Sequence, residues 1–183
     1  MVDFKKLHEE KGKEKPIHPR EIFHSLPKPP GINDLYASQA EVLDGWFGRR
    51  TDIDTVIKLH TGGGKTLVAL LIAQSVMNEL GEPVIYLAPT NQLVNQVVEK
   101  SQEYGISAER YVRGERFSPA FYNGNSVLVG AYETLFNGRS RFGVLGFADV
   151  VEVGPLCETV WRLGQGGFRS DYAASFSCSL SIA

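Results

Sequence analysis

A β-branched, apolar run, Thr55-Val56-Ile57-Lys58-Leu59, leads into His60-Thr61-Gly62-Gly63-Gly64-Lys65-Thr66, and a strongly helical run, Leu67-Val68-Ala69-Leu70-Leu71-Ile72-Ala73, leaves it. This order of strand, glycine-rich turn, Lys-Thr and helix constrains the fold more than any other stretch, because it sets a helix N-terminus directly at the end of a strand. Three consecutive glycines let the backbone curl so that its N–H groups point inward at phosphate oxygens. The first turn of the helix adds free N–H groups and the positive end of its dipole at the same place. Such a loop cradles phosphate with Thr61, Gly62, Gly63 and Gly64, reaches the β- and γ-phosphates with Lys65 and offers the Thr66 hydroxyl to Mg²⁺. A plain glycine-rich turn with an incidental lysine is the alternative, and the right element on each side argues against it.

A chain of 183 residues allows one domain with an arm or a tail. Its net charge of −2 gives no global attraction for nucleic acid, so any nucleic-acid site has to be a local patch. No uncharged apolar run reaches the roughly 18 residues of a membrane span, and the N-terminus lacks the apolar core of a signal peptide. Cys157 and Cys178 form neither a disulfide framework nor a metal-ligand spacing. A cytoplasmic protein with reduced thiols is the expectation.

Along the chain, residues 1–20 are charged and mixed in sign, which reads as a solvated arm or frayed helix; Pro27, Pro29 and Pro30 continue it as a stiff segment closed by Gly31. Asn33 or Asp34 can cap a helix from Leu35 to Phe47, in which Gln39 falls among the apolar positions. Gln39 can face solvent, or its carboxamide, with one donor and one acceptor side by side, can match the N6/N7 edge of adenine. The helix after the glycines is predicted from Lys65 to Leu80, with Gly81 as its stop. Pro83 to Ala88 reads as a second buried strand, and buried strands separated by a helix predict a parallel sheet covered on both faces. Thr90 is a natural cap for a helix over Asn91–Tyr104, with Leu93, Val94, Val97 and Val98 inward and Gly105 as its stop. Short strands are predicted at Arg110–Val112 and Ser126–Tyr132, the second followed by Glu133-Thr134-Leu135-Phe136-Asn137-Gly138 and a basic pair, Arg139 and Arg141.

Four stretches together resemble the first RecA-like domain of a superfamily-two helicase of the DEAD/DEAH-box class. Leu59 to Thr66 resembles the Walker A motif, although Leu59 stands where helicase-type loops begin with a small residue. Gln39, 26 residues upstream of Lys65, resembles the adenine-reading glutamine. Tyr86 to Gln96, with Ala88-Pro89-Thr90 at its centre, resembles motif Ia, and Val127 to Gly138 resembles the strand and turn of the motif Ib region. The resemblance covers residues 33–146. It implies an α/β P-loop fold, ATP with Mg²⁺ as cofactor, and DNA or RNA as partner. It further implies nucleotide contacts from Gln39, Thr61, Gly62, Gly63, Gly64, Lys65 and Thr66, and nucleic-acid contacts from Pro89, Thr90, Asn91, Gln92, Tyr132 and Thr134. Backbone N–H groups and a hydroxyl at a strand-to-helix turn suit a nucleic-acid phosphate. A small nucleotide kinase is a different P-loop reading; the chain lacks its arginine-bearing lid, and that reading leaves Ala88-Pro89-Thr90 unexplained.

The pattern breaks after Gly138. The family requires a strand ending in paired acids, one holding Mg²⁺ and the other orienting the attacking water, without which nucleotide is bound but poorly hydrolysed. Asp149, Glu152, Glu158 and Asp171 are the acids that follow, no two of them adjacent. Asp149-Val150-Val151-Glu152-Val153-Gly154 comes nearest to that motif without matching it. From about Pro155 the composition turns serine-rich and holds both cysteines, as a frameshift, a premature end or a natural short variant would produce. The expected organisation is a charged, Pro-rich arm (1–31), a partial helicase ATP-binding domain (32–154) and an atypical, frameshifted or disordered tail (155–183). The RecA-like sheet has its Walker B strand and the next one between the P-loop strand and the motif Ia strand. Their loss would open the sheet at its centre, at a cost above a domain's margin of about 5–15 kcal/mol, unless the tail supplies strands. The second RecA-like domain, needed for full helicase action, is not expected in this chain.

Overall fold

The structure, a computed structural model, describes residues 15–52, 54–135, 149–153 and 158–161, the last two segments as backbone strands. Six strands form one sheet: β1 (Asp54–Val56), β2 (Val84–Ala88), β3 (Ala108–Arg110), β4 (Val127–Ala131), β5 (Asp149–Val153) and β6 (Glu158–Trp161). Their order is β1-β6-β5-β2-β4-β3. β3, β4, β2 and β5 run parallel, while β6 runs antiparallel to β5 and to β1. Leu87 on β2 lies opposite Gly130 on β4 and Glu152 on β5, which fixes the register at the end of the strands where the connecting loops gather.

The helices are α1 (Pro19–Ser25), α2 (Ala37–Gly48), α3 (Lys65–Leu80), α4 (Asn91–Glu103) and two single turns, α5 (Pro119–Tyr122) and α6 (Tyr132–Leu135). Alternation along β2 and β4 divides the core in two. Val84, Tyr86, Ala88, Val127, Val129 and Ala131 face α1 to α4, whereas Ile85, Leu87 and Leu128 face Tyr111 and Phe121. Both faces of these strands are buried, which is why they read as unbroken apolar runs. α3 is buried at every position from Leu67 to Ala73, so it packs as a central helix. It spans the predicted residues and ends at Gly81 in the left-handed conformation, with the Gly81 N–H donating to Met77 O. No helix among the described residues is long and apolar enough to cross a membrane.

Four expectations are corrected. β1 covers 54–56 rather than 55–59: Ile57 and Leu59 stay buried, but their backbone has left the sheet to enter the glycine turn. α2 starts at Ala37 with Tyr36 as its cap, because Gln39 Oε1 accepts the Tyr36 N–H at 3.0 Å, while Asp34 accepts only the neighbouring Leu35 N–H. β3 covers 108–110 rather than 110–112. Part of the expected arm is core. Ile22 and Phe23 of α1 are fully buried, Ser75 Oγ donates to Ile17 O, Asn78 Nδ2 donates to Pro16 O at 2.7 Å, and the Arg20 guanidinium meets Asp44 on α2 at 3.0 Å. Charge around this short segment conceals two apolar residues that suffice to anchor it.

Of the two alternatives for the sheet's centre, the described strands follow the one in which residues after 154 supply a strand. β5 pairs with β2, where the resemblance would put the Walker B strand, and β6, drawn from residues 155–183, bridges β5 to β1. Arg139 and Arg141, the turn after Leu135 and most of the tail lie outside the described residues.

Candidate functional site

Because the parallel strands share a direction, the turns after β1, β2 and β4 gather at one edge of the sheet, where open α/β sheets hold their ligands. β1 and β2 are three strand spacings apart, roughly 14 Å.

The turn after β1 is built around Gly64. This residue caps α3 with φ +72° and ψ +36°, a left-handed conformation that costs a residue bearing Cβ about 1–2 kcal/mol. Its O accepts the N–H of Leu67 at 3.0 Å and of Val68 at 3.3 Å, starting the helix. The Gly63 N–H donates to His60 O at 3.0 Å, closing the turn. Thr61 and Gly62 stand exposed at the rim, and Lys65 and Thr66, half-buried, are the first two residues of α3. The six sequence-predicted phosphate residues therefore sit together around one helix N-terminus.

Gln39 joins them in an unexpected way. Only 3% of it is exposed. Its Nε2 donates to Gly63 O at 2.9 Å, and its Oε1 accepts from Tyr36 N. The fit depends on Gly64, since a Cβ there would stand 2.2 Å from Gln39 Nε2. The carboxamide is thus turned inward as a brace between the start of α2 and the glycine turn.

After β2, Pro89 is half-buried and Thr90, Asn91 and Gln92 are exposed. Thr90 Oγ1 accepts the Leu93 N–H at 3.3 Å, so it is the cap of α4 that the sequence predicts. Arg110, at the end of β3, reaches Asn95 at 3.1 Å and Asn91 at 3.4 Å and thereby orients the first turn of α4. After β4, Tyr132 and Thr134 are half-buried on α6, and Tyr132 packs against the second core. The nucleic-acid candidates thus occupy adjacent turns, with the phosphate candidates further along the same edge.

Among the described residues no group of three or more His, Cys, Asp or Glu could hold a metal ion. Glu152 on β5 lies opposite Leu87, one residue short of the end of its strand. Arg110, Arg113 and Arg116 are not among the residues the motifs point to, and their clustering within seven residues is the one signal of them in the sequence.

A family model described as DEAD/DEAH box helicase matches residues 36–140. The crystal structure of the UvsW helicase from bacteriophage T4 shares the fold, with a TM-score of 0.54 and 16% sequence identity over 73% of this chain and 48% of that one. This chain therefore spans about half the length of that helicase. A comparison with curated proteins finds no match. The matched family residues run from the cap of α2 through the glycine turn and both flanking turns to the segment after α6.

Proposed function

The chain belongs to the DEAD/DEAH box helicase family and has its α/β RecA-like fold, and on that premise we propose that it is an ATP-binding unit of a helicase or translocase in which nucleotide binding outlasts hydrolysis. The family uses ATP, typically with Mg²⁺. In this reading the turn from Thr61 to Gly64 cradles the phosphates through the backbone N–H groups other than that of Gly63, which closes the turn on His60 O, Lys65 neutralises the β- and γ-phosphates, and the Thr66 hydroxyl takes Mg²⁺. The observation that carries it is the left-handed Gly64 opening the buried 16-residue helix α3, with Lys65 and Thr66 as its first residues. The donors present fit a triphosphate: consecutive N–H groups at a helix N-terminus, one ammonium and one hydroxyl. The bound group would supply the phosphoanhydride chemistry, and the chain's own residues bind it, orient it and compensate its charge.

Gln39 enters as the brace of the loop; to read adenine its carboxamide would have to leave Gly63. Pro89 to Gln92 and the Tyr132–Thr134 turn contact phosphates of a DNA or RNA strand. Helicase action would further require a second RecA-like domain. Residues 32–154, extended by α1 and β6, form the nucleotide-binding unit.

A second reading, a binding module without turnover, is favoured by β5. The strand in the Walker B slot carries Glu152 near its end and no adjacent acid. A thermal melt with and without Mg·ATP tests the first proposal: ligand at about 100 times its dissociation constant should add roughly 2.7 kcal/mol of stability. Lys65→Ala should abolish the gain, and a wild-type melt that ATP leaves unmoved would refute the reading. Phosphate release that stays flat when single strands are added would favour the module without turnover.

A further inference from the structure

We propose that the segment from Tyr111 to Tyr122 is a stacking platform for the bases of a single-stranded nucleic acid, continuing the row formed by the turns after β2 and β4. The proposal rests on the nucleic-acid reading of those two turns.

β3 is parallel to β4 and ends at Arg110, so this segment leaves the sheet at the same edge, one strand spacing beyond β4 and roughly 10 Å from β2. The Tyr111 N–H donates to Val129 O at 2.8 Å, which ties its first residue to β4. A connected set of rings follows: Tyr111 to Phe117 at 5.8 Å between centroids, Phe117 to Phe121 at 5.4 Å and Phe117 to Tyr122 at 5.8 Å. Tyr111 and Phe121 are buried and anchor the set in the second core, where Phe117 and Tyr132 pack against it. The outer ring, Tyr122, is open at 52% exposed, and the aliphatic Val112 of the same segment is exposed at 43%. Aromatic rings serving only as core filling would turn inward; here Tyr111 and Phe121 do so, Phe117 is half-buried between them and the surface, and Tyr122 faces solvent.

The segment is held in one shape. Ser118 Oγ accepts the Phe121 N–H at 3.1 Å and donates to Glu109 at 2.6 Å, and Pro119 begins α5. Its charge has the right sign. Residues 110–122 contain three arginines and one glutamate, in a chain whose net charge is −2. Arg113 and Arg116 are exposed, and no hydrogen bond or ion pair to a described residue engages either. Ordered aromatic rings beside free guanidinium groups are what binding a single strand through its π-faces and phosphates requires. Continuity with Tyr132 gives the strand a path from the turns after β2 and β4.

The test is fluorescence anisotropy of the full chain with labelled dT20 and rU20 oligonucleotides and a 20-mer of abasic sites. Tyr122→Ala should weaken binding of dT20, rU20 or both by roughly 5- to 100-fold, leave the abasic strand unchanged, and be rescued by Tyr122→Phe. Arg113→Ala with Arg116→Ala should weaken all strands and reduce the slope of log affinity against log salt by about 1.4. If the wild type binds dT20 or rU20 and both variants bind as it does, the platform is overturned and the turns after β2 and β4 remain the interface. If the wild type binds none of the strands, the nucleic-acid reading itself fails and the platform falls with it. Tyr122 is exposed, so Tyr122→Phe keeps the ring and Tyr122→Ala is read beside its own melt; an arginine variant that weakens the strands while Tyr122→Ala, folded, does not would leave a phosphate contact and overturn the stacking platform.

Discussion

Gln39→Leu keeps the side chain's bulk and removes both of its hydrogen bonds. Gly63 is buried, so its carbonyl loses its Gln39 partner without gaining water, at about 1–3 kcal/mol. The Tyr36 N–H lies on an exposed residue and can turn to solvent, which adds little. A net loss of about 1–3 kcal/mol should lower the melting temperature by roughly 2–12 °C in a chain of this size. Nucleotide affinity should fall as well, because the loop no longer waits in its closed shape: each 1.4 kcal/mol of lost bracing is a tenfold weaker apparent affinity. The informative assay compares ATP with GTP, by the shift each produces in the melt. A brace acts on the phosphate loop and is blind to the base, so both nucleotides should weaken by the same factor. A variant that melts like the wild type, weakens ATP and leaves GTP untouched would show that the carboxamide reads adenine, and the brace would be refuted.

Gly64→Ala should cost about 2–4 kcal/mol, from its left-handed φ and from the displaced Gln39 carboxamide; in a double-mutant cycle with Gln39→Ala the two losses should add to less than their sum, as urea titration will measure. Phe23→Ala should cost about 3–5 kcal/mol by the same titration, since its ring is fully buried; a loss below 0.5 kcal/mol would return residues 16–26 to a solvated arm. Val160→Pro removes a ladder donor from β6, which is paired on both sides, and each backbone group left without a partner costs roughly 1–3 kcal/mol. Its melt should fall well below that of wild type, and an unchanged melt would mean that β6 contributes nothing to the sheet.

How much could be read from the sequence follows the range of the interactions. α3 and its Gly81 stop are set by local signals, a glycine turn before and a glycine after an apolar run, and they were legible to the residue. The Thr90 cap was legible for the same reason. The start of α2 was not, because a side chain three residues on reaches back to Tyr36 and overrides the caps at Asn33 and Asp34. α1 holds too few apolar residues to show a period. β6 pairs with strands about 100 residues apart, and nothing in Glu158-Thr159-Val160-Trp161 announces which neighbours it joins. The glycine turn that opens α3 was plain from its residues, whereas the inward carboxamide of Gln39 depends on a partner 24 residues away.

The same distinction underlies the proposal that binding and turnover come apart in this chain. A phosphate cradle is largely backbone: glycines permit its shape, a helix start supplies its field, and one lysine and one threonine complete it, all within eight residues. A sheet slot is also backbone, and β5 can occupy the position beside β2 through hydrogen bonds whatever its side chains are. Hydrolysis has the stricter requirement, because a metal-bound water and its orienting carboxylate need two acids at fixed neighbouring positions at the end of one strand. β5 meets the first condition and fails the second: Glu152 stands opposite Leu87 and Val153 follows it. The family's architecture and the proposed nucleotide site therefore ask less of the sequence than the reaction does, which is the ground on which binding without turnover is proposed.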